Sequence, residues 1–149
     1  AYPASTWPGV DVDNEGRITK VDLHGKNIKC VFPEELCELD ALKELILHTN
    51  RIYGVLPEHL GVLSALEKLD LWDNFLEGPI PKSIAQLSAL TELHLSGNLF
   101  VGPIPKELGR LSNLKVLYLH GNKLTGPIPP QLGNLRSLQK LILINNRLT

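Results

Sequence analysis

Imidazole, carboxylate and hydroxyl side chains recur at fixed intervals along the chain. His24 and His48 are 24 residues apart, and so are Asp70 and His94, with Ser96 two residues further on. A pair of imidazoles can ligate a divalent metal, and an acid, an imidazole and a hydroxyl are the groups of a Ser–His–Asp catalytic set. Which of these chemistries is possible depends on the elements that carry the residues.

The interval of 24 residues belongs to a repeat that covers most of the chain. Ile18 begins a series of apolar residues at equivalent positions, which continues with Leu42, Leu66, Leu90, Leu114 and Leu138. The pattern L-x-x-L-x-L-x-x-N at a period of about 20 to 29 residues is typical of a leucine-rich repeat solenoid. We predict an N-terminal capping segment over residues 1–17, followed over residues 18–149 by five units and a truncated last one.

The predicted fold is an α/β leucine-rich repeat solenoid. It is a curved right-handed coil with a parallel β-sheet on the concave face and short helical or 3-10 turns and loops on the convex side. Prolines such as Pro129 are expected on the flank, where a short helical turn begins and no ladder hydrogen bond is lost. Glycines such as Gly126 serve close approach or positive φ. Position 4, counted from the first leucine of each repeat, has the strand period and faces the core. One buried column should therefore contain Leu45, Leu69, Leu93, Leu117 and Leu141.

Position 9 is asparagine in five repeats. An asparagine amide both donates and accepts hydrogen bonds, so a stacked row can satisfy backbone groups where the chain reverses. We predict a structural ladder rather than ligand contacts for Asn50, Asn74, Asn98, Asn122 and Asn146.

Positions 3, 5 and 7 point onto the concave surface. Position 3 mostly alternates lysine and glutamate, which predicts lateral ion pairs. Asp70 should form an ion pair with His94 once the imidazole is protonated. Positions 5 and 7 combine apolar, aromatic and titratable residues, and such a patch indicates a partner-binding surface. The predicted surface consists of Ile46, His48, Asp70, Trp72, His94, Ser96, Tyr118 and His120. The alternative for Trp72 is that it only lies flat across its neighbours.

This placement argues against both chemistries raised above. His94 and Ser96 stand two residues apart on one strand and project in parallel, without oxyanion donors or an enclosing pocket. His24 and His48 are lateral neighbours, but Trp72 follows them in the column and no third metal ligand is evident. We predict no catalytic residue, no metal site and no cofactor, and a chain that is not an enzyme.

The charge, hydropathy and cysteine content of the chain limit the classes of partner and site that it can have. The net charge of −1 and the pI near 6.6 give no general attraction to nucleic acid. No apolar run approaches the roughly 20 residues that cross a bilayer. Cys30 and Cys37 lie seven residues apart and fit neither a paired metal motif nor a redox pair. Two free thiols are the first interpretation and a local disulfide is the alternative.

The complete repeat L-x-x-L-x-L-x-x-N-x-L-x-G-x-I-P-x-x-L-G-x-L resembles the plant-specific class of leucine-rich repeat. That class occurs in plant receptor-kinase ectodomains, in polygalacturonase-inhibiting proteins and in Roco-type proteins of algae. The resemblance implies a recognition surface for a protein or peptide. The segment "WPGVDVDNEGRITKVDL" resembles the N-terminal cap of the extracellular members, although Val12 stands where their cap cysteine belongs.

We therefore predict a non-catalytic protein- or peptide-recognition module within a larger intracellular multidomain protein, for example a Roco-type GTPase. The missing cap cysteine and the absence of any N-x-[ST] sequon favour this interpretation. The alternative is a secreted or cell-surface recognition protein, either a receptor-kinase ectodomain or an inhibitor of polygalacturonases. Because "LILINNRLT" stops within a repeat, we expect a fragment that either self-associates through residues 138–149 or frays there.

Overall fold

The computed structural model describes residues 3–149. In that part of the chain, short strands (β) alternate with short 3-10 helices (η). The first sheet, which we call the concave sheet, contains β1 Val10–Val12, β2 Ile18–Asp22, β3 Glu44–Ile46, β5 Lys68–Asp70, β7 Glu92–His94, β9 Val116–Tyr118 and β11 Lys140–Ile142. The second sheet, which we call the flank sheet, contains β4 Tyr53–Val55, β6 Phe75–Pro79, β8 Leu99–Pro103, β10 Lys123–Gly126 and β12 Arg147–Leu148. The helices are η1 Ala4–Thr6, η2 Glu34–Glu38, η3 Glu58–Val62, η4 Lys82–Gln86, η5 Lys106–Arg110 and η6 Pro130–Asn134.

The concave sheet takes one parallel strand from each repeat, in the order β2, β3, β5, β7, β9 and β11. Leu45 lies beside Leu69, Leu69 beside Leu93, and Leu93 beside Leu117. Residues that are 24 apart are therefore lateral neighbours, and each position of the repeat forms a column across the sheet. The predicted solenoid, with parallel strands and short 3-10 turns, is confirmed.

The position-4 leucines form the centre of the core. Leu45, Leu69, Leu93 and Leu117 are each 0% exposed, because strands flank them on both sides. The prediction that Leu141 joins this buried column is wrong, since 42% of its surface is exposed. Its strand β11 pairs only with β9 among the described strands. Self-association through residues 138–149 stays a prediction.

The flank sheet was not predicted. Each of its strands follows the asparagine of a repeat, and neighbouring strands pair in parallel. Pro79 and Pro103 are the last residues of β6 and β8, where a missing amide hydrogen interrupts no further ladder. Tyr53 and Phe75 pair laterally and lie about half exposed on the outer face of this sheet.

Prolines precede the helices as expected. The residue before each of η2 to η6 is proline, with an extended backbone, at Pro33, Pro57, Pro81, Pro105 and Pro129. Proline restricts φ at a position whose amide hydrogen the helix does not use, so it helps to turn the chain from the flank sheet into the helix. In residues 3–149, no helix is long and apolar enough to cross a bilayer.

The predicted asparagine ladder lies directly beneath the turn that follows each concave strand. The Asn74 Oδ1 accepts the Ile52 amide hydrogen at 3.0 Å, and its Nδ2 donates to the carbonyls of Leu47 and Leu71 at 3.0 and 3.2 Å. Equivalent contacts are made in their own repeats by Asn50, Asn98, Asn122 and Asn146. Each amide therefore joins two adjacent repeats through backbone groups that burial would otherwise leave unpaired.

The N-terminal segment covers the first edge of the concave sheet. Strand β1 pairs antiparallel with β2, so that Val10 lies opposite Val21. Gly9 enters this pair with φ of 80°, and a Cβ there would lie 2.1 Å from the Asp22 carbonyl oxygen. Cys30 and Cys37 both carry free thiols. Burial, together with the nearby Glu34 carboxylate, raises the pKa of the Cys37 thiol.

Candidate partner-binding surface

The concave sheet brings seven of the eight predicted surface residues around one shallow depression. This depression, of about 280 Å³, is what we call the concave patch, and it is lined by His48, Asp70, Trp72, His94, Ser96, Tyr118 and His120. Lateral pairing places Asp70 beside His94 and His94 beside Tyr118. Ile46 pairs with Asp70 but is buried and does not line the depression.

One wall of the concave patch is formed by aromatic rings of the position-7 column. His24 and His48 stack with ring centroids 4.8 Å apart and an interplanar angle of 20°. Trp72 follows at 5.5 Å from His48, but its ring is tilted by 51°. Trp72 is 43% exposed and its ring is not parallel to that of His48, so part of the indole surface is open to solvent.

The opposite wall is formed by three rings in edge-to-face contact. The His94 and Tyr118 centroids are 4.9 Å apart with an interplanar angle of 76°, and Tyr118 and His120 are 5.9 Å apart at 67°. Between the two walls lies Ser96, which is only 1% exposed and gives the depression a small floor. Trp72 and His120 lie two repeats apart, which corresponds to about 10 Å at the strand spacing of a sheet.

Position 3 shows the predicted lateral ion pairs. Lys20 Nζ lies 3.6 Å from Glu44 Oε2, and Lys68 Nζ lies 3.3 Å from Glu92 Oε2. Burial raises the pKa of Glu92, but the charge and hydrogen bond of Lys68, together with His94, lower it by more, so that the net shift is downward. Glu92 is therefore held as a carboxylate at the edge of the concave patch.

The ion pair predicted between Asp70 and His94 is not formed. His94 Nε2 lies 3.1 Å from Glu92 Oε2 instead. Glu92 and His94 share one face of the same strand, so Glu92 competes with the lateral neighbour Asp70 for the His94 ring. The Asp70 Oδ1 accepts the Trp72 backbone amide hydrogen at 3.3 Å, which turns the carboxylate along its own strand.

The same geometry bears on the two chemistries that the sequence raised. Among the described residues, His94 Nε2 pairs with Glu92 rather than with its lateral neighbour Asp70, so the acid–base pair of a relay is not formed. His24 and His48 meet face to face rather than with convergent nitrogens, and His24 Nδ1 contacts Asp22 Oδ1. Burial raises the Asp22 pKa, but hydrogen bonds from His24 lower it by more. Within residues 3–149, no group of three or more potential ligands is arranged to hold a metal ion.

Two features of the concave patch were missed by sequence reasoning. Asp70 is only 8% exposed, and no cationic group among the described residues lies within ion-pair distance of it. His120 Nδ1 is buried without a hydrogen-bond partner in the same part of the chain. The pairing of Glu92 with both Lys68 and His94 could have been read from their positions, since one is a lateral neighbour and the other lies two residues along.

Comparison with known proteins identifies the family. A leucine-rich repeat family model matches residues 40–100, and a second one matches residues 113–135. A chain of the BIR3–SERK2 complex from Arabidopsis thaliana is 32% identical, with a TM-score of 0.89 over 100% of this chain and 80% of that one. The chain belongs to the leucine-rich repeat family, in its plant-type class. No curated protein sequence matches it.

Longer solved structures are also similar. The ectodomain of the Arabidopsis thaliana membrane receptor kinase GASSHO1/SCHENGEN3, in complex with CASPARIAN STRIP INTEGRITY FACTOR 2, is 38% identical with a TM-score of 0.93, over 97% of this chain and 18% of that one. The plant peptide hormone receptor RGFR1, in complex with RGF2, is 34% identical with a TM-score of 0.81, over 82% of this chain and 20% of that one. This leucine-rich repeat chain thus spans about a fifth of each. These relatives favour the cell-surface alternative over the intracellular Roco-type interpretation, which they do not support.

Proposed function

We propose that this chain is a recognition module that binds a peptide or protein segment in the concave patch. The observation that carries the proposal is the depression between Trp72 on one side and Tyr118 with His120 on the other. Tryptophan and tyrosine supply most of the binding energy at many protein interfaces, because a large apolar ring is buried at little entropic cost. Neither ring fills the core, and the exposure of both on this face supports contact with a partner.

An extended segment fits the shape of the concave patch. The depression is open and shallow and runs across several parallel strands, so a chain lying across them would meet one column of side chains after another. Relatives with the same fold were solved with a bound hormone or protein partner, which supports a ligand of this class. We propose no catalytic step, because His94 pairs with Glu92 rather than with Asp70. Binding of this kind needs no cofactor.

The module is proposed to belong to a receptor-like protein at the cell surface. The similarity to plant receptor ectodomains supports this assignment, although Val12 replaces the usual cap cysteine. The complete coding sequence tests it. A signal peptide and a membrane-spanning segment are expected, whereas a P-loop GTPase domain on the same chain would contradict the receptor assignment and restore the Roco-type interpretation.

Binding to the concave patch is tested with peptides selected on the chain from a displayed random library. We expect Trp72→Ala and Tyr118→Ala each to weaken the selected peptides by about 2 kcal/mol or more, a factor of about 30 in Kd. Phe75→Ala is the matched control, because Phe75 is a similarly exposed aromatic residue on the flank sheet. Isothermal titration calorimetry measures the three variants. Unchanged affinity for both concave variants, or a loss confined to Phe75→Ala, would place the site elsewhere.

A further inference from the structure

The Asp70 carboxylate is a buried charge without a countercharge. It is 8% exposed and its lateral neighbours on the concave sheet are Ile46 and His94, neither of which pairs with it. The nearest lysine along its own strand, Lys68, is engaged by Glu92 at 3.3 Å. With one long backbone hydrogen bond, the Asp70 carboxylate keeps free acceptor capacity, and a cationic donor from a ligand can use it.

His120 lines the same depression, but its Nδ1 cannot receive a donor from a ligand. That atom is buried and has no hydrogen-bond partner within residues 3–149. Asp70 is therefore the acceptor that a ligand can reach, and the ligand group that complements it is positively charged and carries N–H bonds.

The walls select the shape of that cation. Trp72 and Tyr118 line the depression, and a cation is attracted when it lies over a ring face within about 6 Å of the ring centroid. Trp72 and Tyr118 lie two repeats apart, about 10 Å at the strand spacing of a sheet, which leaves room for one planar group beside either ring. A guanidinium is planar, carries five N–H donors and is less strongly hydrated than an ammonium, so it fits better than a lysine side chain.

We propose that the concave patch is an arginine-binding site. The guanidinium of an arginine in the peptide or protein partner pairs with Asp70 and packs against Trp72 and Tyr118, which line the same depression. Glu92 adds negative charge at the margin, although Lys68 already neutralises it in part. This inference rests on the proposed function and assigns the chemical class of the ligand.

The test uses N-acetyl-arginine methylamide as a probe of the 149-residue chain, observed by ¹H–¹⁵N NMR. The chain has two indole N–H signals, and we expect the probe to shift that of Trp72 but not that of Trp7, which lies in an apolar groove at the N-terminal end. The neutral isostere N-acetyl-citrulline methylamide should bind at least about tenfold more weakly than the arginine probe, because the charge pair with Asp70 is lost. The lysine analogue should also bind more weakly, since it lacks the planar fork.

Two variants locate the countercharge. Asp70→Asn keeps the shape of the side chain and should weaken the arginine probe about tenfold or more. Glu77→Gln removes one negative charge from the flank sheet and should leave the affinity unchanged. Equal binding of the citrulline or lysine analogue, equal losses in both variants, or no shift of Trp72 at saturating probe would overturn the inference. Selected peptides that lack arginine yet need Trp72 and Tyr118 would also overturn it, while leaving the proposed function intact.

Discussion

Thr49 adopts a backbone conformation that a β-branched residue rarely accepts. Position 8 of each repeat has positive φ, and glycine supplies it at Gly25, Gly97 and Gly121. Thr49 and Asp73 occupy the same position with φ of 56° and 55°. Strained residues of this kind persist where the surrounding structure holds them, often beside a binding site. Here, both flank the concave patch, and Thr49 Oγ1 lies 3.1 Å from His48 Nδ1.

Replacing Thr49 by glycine is expected to stabilise the fold. Relief of the left-handed strain, less the larger entropy loss of glycine, should raise the free energy of unfolding by about 0.5–1 kcal/mol. Asp73→Gly is the matched comparison and should gain less, because aspartate tolerates positive φ. Urea denaturation followed by circular dichroism measures both. A Thr49→Gly variant less stable than the parent would show that the contact with His48 outweighs the strain.

At the scale of elements, the 3-10 helices stack closely because position 20 is small. A Cβ on Gly61 in η3 would lie 2.4 Å from the Ser83 carbonyl oxygen in η4, and one on Gly109 in η5 would lie 2.4 Å from that of Gln131 in η6. Gly133 occupies the same position of its repeat in η6, and a Cβ there would meet nothing within 4 Å. These glycines therefore differ only in what packs against them.

Gly61 and Gly133 together give a controlled test of repeat stacking. Gly61→Ala should lower the free energy of unfolding by about 1–3 kcal/mol, because backbone rather than a mobile side chain must move. Gly133→Ala should be neutral or slightly stabilising, since it restricts the unfolded chain without a clash. Denaturant titrations of the two variants decide the matter. Equal effects would mean that the spacing of η3 and η4 adjusts without cost.

The concave sheet was predictable and the flank sheet was not, for one physical reason. Leucines at positions 4 and 6 carry the strand period within a single repeat, as Leu93 and Leu95 do, so local sequence defines that strand. Four of the five flank strands contain glycine, two of them end in proline, and they have no regular apolar alternation in sequence. Their ladder, such as Pro79 beside Val101, forms only when adjacent repeats are already stacked.

The candidate site follows the same division. The columns placed Trp72, Tyr118 and His120 on one surface, because register is fixed by the repeat. Glu92 and Asp70 are both neighbours of His94, and which carboxylate contacts the ring depends on side-chain rotamers. The uncompensated charge of Asp70 was therefore visible only in the structure.

At the scale of the whole molecule, stability should depend on a residue's place along the solenoid, because each repeat packs only on its neighbours. Leu93 is 0% exposed with a strand on either side, whereas Leu141 occupies the same position of its repeat and is 42% exposed. Leu93→Ala should lower the free energy of unfolding by about 3–5 kcal/mol, and Leu141→Ala by about 1 kcal/mol or less. Urea denaturation at low protein concentration compares the two variants.

Equal losses would contradict the gradient and show that Leu141 is covered in solution, as self-association through residues 138–149 would cause. Sedimentation velocity over a concentration series would then reveal a dimer that Leu141→Ala dissociates.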